Sequence, residues 1–221
     1  MRITHFGHSC LLVELKDRRV LIDPGNLAGD FDSLTELDAI AITHQHPDHA
    51  DPQRLPALVG ANPHAMVLAE PQAAEVVAEQ TGNAVRPTPL TAGELVRVGE
   101  VTVRPVGELH AFIHESVPRV GNLGLVVTAD DEPVLFHPGD SYEAEPGPVD
   151  VLALPIIAPW ATISATADFA ARIAAPRAVP IHDGPLSAEG HRYYLGLVGT
   201  FGPPEMEIID LPLSCQTLVE S

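Results

Sequence analysis

Apolar and polar positions alternate along this chain in short, regular segments. "RITHFG", "SCLLVEL" and "RVLIDPG" carry the aliphatic and β-branched residues of three short strands, the last two joined by the charged turn "KDRR". "LDAIAIT" is an apolar run bounded by polar residues, the pattern of a buried strand. A short helix is predicted over "DPQRLPALVG", a strand over "HAMVLA", and a helix over "PQAAEVVAEQTG", opened by Pro71 and closed by Gly82. "EVTVRPV", "NLGLVVTA" and "PVLFHPGD" follow as strands separated by turn signals. The end returns to alternation: strand "VDVLALPI", helix "SATADFAARIAA", strand "RAVPIHD", helix "SAEGHRYYLGLVG" and strand "EMEIID". Strands and helices in both halves imply an α/β architecture of sheets covered by helices. No repeat, low-complexity segment or long linker divides the chain, so a single domain over residues 1–221 is expected.

Composition adds exclusions. Thirty acidic residues against 12 basic ones leave a formal charge of −18. Such a surface repels phosphate backbones and anionic membranes, which argues against nucleic acid and lipid surfaces as partners. No run of 18 apolar residues marks a transmembrane helix, and "MRITHFGHSC" reads as a first strand rather than a secretory signal. Cys10 and Cys215 form no disulfide framework, and a cytoplasmic setting is expected.

The candidate chemistry lies in the histidines. Eleven are present, and metal-competent groups collect at four strand ends: "THQHPDH", "GELH", "HPGD" and "PIHD". His44 and His46 are two apart, so on an extended segment they point the same way. Pro47 breaks the strand, and Asp48 and His49 occupy the following turn, aimed at a neighbouring point. That spacing suits two adjacent metal ions better than one tetrahedral site. His-x-His-x-Asp-His arises by chance in roughly two such chains per thousand.

The order of these motifs resembles the metallo-β-lactamase fold superfamily of metal-dependent hydrolases, and within it the compact branch that includes the ascorbate-phosphate lactonase type. "HQHPDH" fits at every specified position, and "GHSCLLVE", "VLIDPG", "HPGDS" and "VPIHDG" stand in the family's order of strands. The resemblance implies a four-layer αβ/βα sandwich with the site on the edge shared by its sheets. It implies that His44, His46 and His110 bind one metal, that Asp48, His49 and His182 bind the other, and that Asp140 bridges them. His114, four residues beyond His110, competes for its place. Asp23 matches an acidic position able to orient a ligand histidine. His5, His8, His64, His137 and His191 match no ligand position, although His8 and His137 flank the motifs.

Imidazoles with two carboxylates suit Zn²⁺, with Mn²⁺ or Fe²⁺ as alternatives. A paired site makes hydroxide available at neutral pH, and Asp48 is expected to hold and orient it. Two divalent ions less Asp48, Asp140 and hydroxide leave about +1, enough to draw a small anionic substrate. Arg119 reads as a plain surface residue or, second, as a substrate contact from a loop over the site, and Trp160 as a pocket wall or a core residue. The expectation is a binuclear hydrolase acting on an ester, lactone, thioester or phosphodiester of a small molecule, with self-association possible. The alternative, a catalytically silent metal-binding or regulatory protein, predicts a broken ligand set, and none of the positions is broken. A nuclease calls for a basic nucleic-acid domain. A diiron electron-transfer protein calls for Glu in place of His46.

Overall fold

The computed structural model describes residues 1–211 and 216–219. One sheet holds β1 (Arg2–Gly7), β2 (Cys10–Leu15), β3 (Arg18–Ile22), β4 (Ala39–Ile42), β5 (Met66–Ala69), β6 (Thr88–Pro89) and β14 (Gln216–Leu218). The other holds β7 (Val96–Val98), β8 (Val101–Val106), β9 (Gly124–Thr128), β10 (Leu135–His137), β11 (Val151–Pro155), β12 (Arg177–Ile181) and β13 (Glu207–Ile208). Their orders are β14-β1-β2-β3-β4-β5-β6 and β13-β12-β11-β10-β9-β8-β7. In each, an antiparallel meander passes into a run of parallel strands: β3 through β6 in the first sheet, β10 through β13 in the second.

Period-two alternation builds the layers. On β4, Ala39 and Ala41 join the core between the sheets, while Ile40 and Ile42 face the helices α1 (Leu55–Ala61) and α2 (Pro71–Gln80). Leu11, Val13 and Ile22 meet Val103, Leu125, Val151 and Val179 in the central layer. On the far side Phe136, Leu152 and Leu154 pack on Phe169 and Ala170 of α3 (Ile163–Ile173) and Val198 of α4 (Ala188–Phe201). Helix, sheet, sheet, helix is the four-layer αβ/βα sandwich expected above.

Local chemistry starts the helices where the sequence placed them. Glu70, Thr162 and Ser187 each accept a backbone N–H of the following turn, and Pro71 opens α2. Three pairings lay outside the sequence reading. β6 is two residues long and ends in Pro89, which suits a sheet edge. β7 alternates over only three residues and is ordered by its pairing with β8. β14 joins the sheet beside β1 from the far end of the chain. "EMEIID" is shorter than expected, with only Glu207–Ile208 paired. Cys10 is a free, buried thiol; Cys215 lies outside the described residues. None of the described helices is long and apolar enough to cross a membrane.

Candidate metal centre

The strand ends that carry the motifs converge on one edge shared by the two sheets. His44, His46, Asp48 and His49 leave β4, His110 lies beyond β8, Asp140 beyond β10, and His182 directly after β12. The ring centroids of His44 and His49 are 4.1 Å apart, those of His44 and His110 5.0 Å, and those of His49 and His182 5.6 Å. His114 stays outside, exposed and bonded to Ser116.

The backbone is shaped to bring them there. A Cβ on Gly25 would lie 1.8 Å from the Asp48 carbonyl oxygen, so only glycine lets the loop after β3 pack on the Asp48 turn. His8, Asp23 and His182 adopt φ of 52°, 50° and 63°, a left-handed conformation that non-glycine residues hold under strain. Asn122, for which the sequence offered no signal, is buried, accepts the Asp140 N–H at 2.9 Å and donates to the Pro138 carbonyl at 2.9 Å. It pins the loop that aims Asp140.

Hydrogen bonds then fix which ring nitrogen is free. The buried Asp23 carboxylate only accepts, so His49 Nδ1 donates to it at 2.7 Å, leaving His49 Nε2 as a lone pair in the neutral ring. Thr43 Oγ1 also donates to Asp23, at 2.7 Å, and so accepts from His44 Nδ1 at 3.1 Å. His110 Nδ1 donates to the Ala111 carbonyl and His182 Nδ1 to the Ile157 carbonyl, each at 2.7 Å. Four Nε2 atoms are therefore turned inward as acceptors. Three of them meet Asp140: His49 at 3.1 Å from Oδ1, and His182 at 3.1 Å and His110 at 3.4 Å from Oδ2. The fourth, His44 Nε2, lies 3.1 Å from His46 Nδ1.

Acceptor facing acceptor is repulsive unless positive charge lies between. His49 Nε2, His110 Nε2 and Asp140 Oδ1 are buried without a hydrogen-bond partner, and each such orphan costs about 1–3 kcal/mol. Divalent ions would satisfy all three. The potential ligands fall into two groups, His44, His46, His110 and Asp140 in one, and His8, Asp48, His49 and His182 in the other, with ligand atoms of each within 4.8 Å of one another. Asp140 belongs to the first but also touches His49 and His182 of the second.

His8 enters the second group by distance and departs from it by chemistry. Its Nδ1 accepts the Gly184 N–H at 3.2 Å, so its Nε2 carries the proton and donates to Asp48 Oδ2 at 3.0 Å. It has no lone pair left for a metal; it holds a carboxylate. His137 has the same polarity, with Nδ1 accepting from Gly139 and Nε2 donating to the Ser9 carbonyl.

Burial depresses the basicity of His44 and, less strongly, of His46, keeping both rings neutral. Burial also acts against charge on His49, but Asp140 and Asp23 outweigh it and raise its pKa well above the ordinary value. Those carboxylates pull positive charge onto His49 Nε2, as a proton or as a metal in its stead. Burial would raise the Asp48 carboxyl, yet the His8 hydrogen bond and the charge of His49 hold it well below the usual range. Asp140 is likewise lowered against its burial, by His49 and His182 first.

Arg119 and Trp160 take different parts. Arg119 donates to the His110 carbonyl at 2.7 Å and pairs with Glu143 at 2.8 Å, so it braces the loop carrying His110. Trp160 is half-buried, donates its indole N–H to Asp140 Oδ2 at 3.1 Å, and stands edge-on to His110 and His182. It walls the site.

Residues 2–182 match the family model described as a β-lactamase superfamily domain. The chain belongs to the metallo-β-lactamase superfamily. Protein Rv0786c of Mycobacterium tuberculosis is 40% identical over 210 residues, covering 95% of this chain and 96% of its own. A UPF0173 metal-dependent hydrolase of Aeropyrum pernix is 30% identical over 151 residues, 63% of this chain and 61% of that protein. Among solved structures, the isothiocyanate hydrolase from Delia radicum gut bacteria superposes with a TM-score of 0.75 at 16% identity over 100% of both chains, a likeness of fold. Several relatives, those of Aeropyrum pernix and Xanthobacter autotrophicus among them, are named metal-dependent hydrolases.

Proposed function

We propose that the chain is a binuclear metal-dependent hydrolase that cleaves an ester, lactone, thioester or phosphodiester bond of a small molecule. The observation that carries this reading is four histidine Nε2 atoms turned inward together, with His49 Nε2, His110 Nε2 and Asp140 Oδ1 buried and unpartnered. His44, His46 and His110 would hold one ion, Asp48, His49 and His182 the other, and Asp140 would be within reach of both. The donor set of imidazoles with two carboxylates favours Zn²⁺ and also accommodates Mn²⁺ or Fe²⁺. A bound pair of such ions lowers the pKa of a water toward 7 and polarises the scissile carbonyl or phosphoryl oxygen.

The chain's own groups do the rest. Asp48 is ionised and about a quarter exposed (28%), and His8 holds its Oδ2, so with metal bound its carboxylate would be placed to orient a water by accepting its hydrogen bond. Asp23 and Thr43 fix the rings of His49 and His44, and the Ala111 and Ile157 carbonyls those of His110 and His182. The free, buried Cys10 thiol fits a reducing, cytoplasmic setting. Elemental analysis of protein purified without chelator tests the metal reading, with about two divalent ions per chain expected. A value well below one that added Zn²⁺ or Mn²⁺ does not raise sinks it. A panel of lactones, thioesters and phosphodiesters, assayed on the same loaded protein, then finds the bond.

A further inference from the structure

His182 belongs to two environments. Its Nε2 faces Asp140, and its ring also lines a cleft of about 290 Å³ whose remaining walls are Ile157, Ala158, Pro159 and Pro185. The chain makes this wall from two strand ends: Ile157–Pro159 continue from β11, and Pro185 follows His182 beyond β12. The bond from His182 Nδ1 to the Ile157 carbonyl joins the two segments. Apart from the His182 ring, the lining side chains are all aliphatic, and two are prolines whose fixed φ keeps the wall in shape without a ligand. The volume lies near the lower end of the roughly 300–1,000 Å³ common for small-molecule sites.

The opposite flank is apolar too. Beyond His46 and His110, Ile113 and Val117 are 37% and 41% exposed on the loop that Arg119 braces. Arg119, the cation of that flank, is already committed to the His110 carbonyl and Glu143. A negatively charged tail would therefore meet aliphatic carbon on one side and a neutralised guanidinium on the other. An uncharged tail would bury carbon on carbon.

We propose that the substrate carries a compact alkyl or aryl group and seats it in the cleft beside His182, with its reacting oxygen turned toward the metal ligands. The assignment rests on the hydrolase reading for what happens to the substrate, but the cleft itself can be tested without turnover. Straight-chain hydroxamic acids, from acetyl to octanoyl, bind metal through their heads and present the tail to the cleft. Calorimetry on metal-loaded protein should show affinity rising about fourfold per added methylene until the cleft is filled. The heat-capacity change should grow more negative with each step. Analogues ending in a carboxylate should lose that gain. Pro185→Glu should flatten the series, with its acetyl member as internal reference, and Pro159→Glu repeats the test on the other segment. A flat series in the wild type, no binding at any length, or preference for carboxylate-ended chains overturns the proposal. The matching p-nitrophenyl esters separate the two readings. A rising hydroxamate series with no hydrolysis of esters or of the wider panel leaves the cleft standing and removes the hydrolase. Hydrolysis with no chain-length dependence in either series removes the cleft alone.

Discussion

Replacing Asp23 by Asn tests the protonation pattern on which the metal reading rests. The Asp23 carboxylate is fully buried and accepts three hydrogen bonds: the Thr43 N–H at 2.8 Å, the Thr43 hydroxyl at 2.7 Å and His49 Nδ1–H at 2.7 Å. Asn keeps the volume and one acceptor oxygen but puts an NH₂ group where the other oxygen stood. With Oδ1 still serving the Thr43 N–H, the new donor faces His49 Nδ1 and the Thr43 hydroxyl, both donors already. Relief comes if His49 changes tautomer, which moves its proton to Nε2 and closes the lone pair turned toward Asp140. A hydrogen bond to a charged group contributes roughly 1.5–3 kcal/mol. If that much is lost from the metal-bound form, affinity at the His49 side falls about 10- to 150-fold, in line with the 10–100-fold usual for residues that orient metal ligands. His44 is affected less, because its ring reaches Asp23 only through Thr43. Competition against a chromophoric chelator, with elemental analysis and a melting curve on one sample, reads the outcome. We expect one strong and one weakened site in a folded protein. Two sites of wild-type affinity would refute the tautomer argument, and equal weakening of both would refute its localisation to His49.

His110→Ala should remove most activity and one metal, whereas His114→Ala should leave metal content at the wild-type level, because only His110 turns a buried Nε2 toward Asp140; the reverse pattern in metal analysis contradicts the geometry. Asp48→Asn should lower kcat by about a hundredfold or more, the usual worth of an orienting or general-base group being 10²–10⁴, with the fold retained and the His44–His46–His110 side still loaded. A fully metallated Asp48→Asn variant with wild-type turnover would show that the motif binds metal without the catalytic part assigned to Asp48. Metal entry should also release a proton. Without metal, Asp140 and Asp23 favour a second proton on His49, at Nε2, while burial disfavours charge on His44 and His46, so a metal taking that lone pair displaces the His49 proton. Apparent affinity then rises with pH up to the His49 pKa and levels above it; calorimetry in buffers of different ionisation enthalpy checks this, and no proton release at neutral pH counts against it.

Much of this protein is written in local chemistry. Period-two alternation identifies the strands, because one residue step moves a side chain to the other face; on β4 it already separates Ala39 and Ala41 from Ile40 and Ile42. The tight spacing of His44, His46, Asp48 and His49 holds for the same reason: the donors lie on one strand end and its turn, so their geometry is set within six residues. Caps at Thr162 and Ser187 are equally local. What the sequence could not supply is whatever depends on residues far apart in the chain. The choice of His110 over His114 depends on which of them meets Asp140, thirty residues and two strands away. The part played by His8 was invisible because its tautomer is set by the backbone of Gly184, 176 residues on, and spacing says nothing about which nitrogen carries a proton. Asn122 and Arg119 look like ordinary polar loop residues until the tertiary fold brings the Asp140 loop and the His110 carbonyl within hydrogen-bond reach. The edge strands β6 and β7 are too short to carry a pattern and owe their order to the neighbours they pair with. Local periodicity thus determined the strands and the metal-grade motif, and only packing at the shared sheet edge decided where each lone pair points.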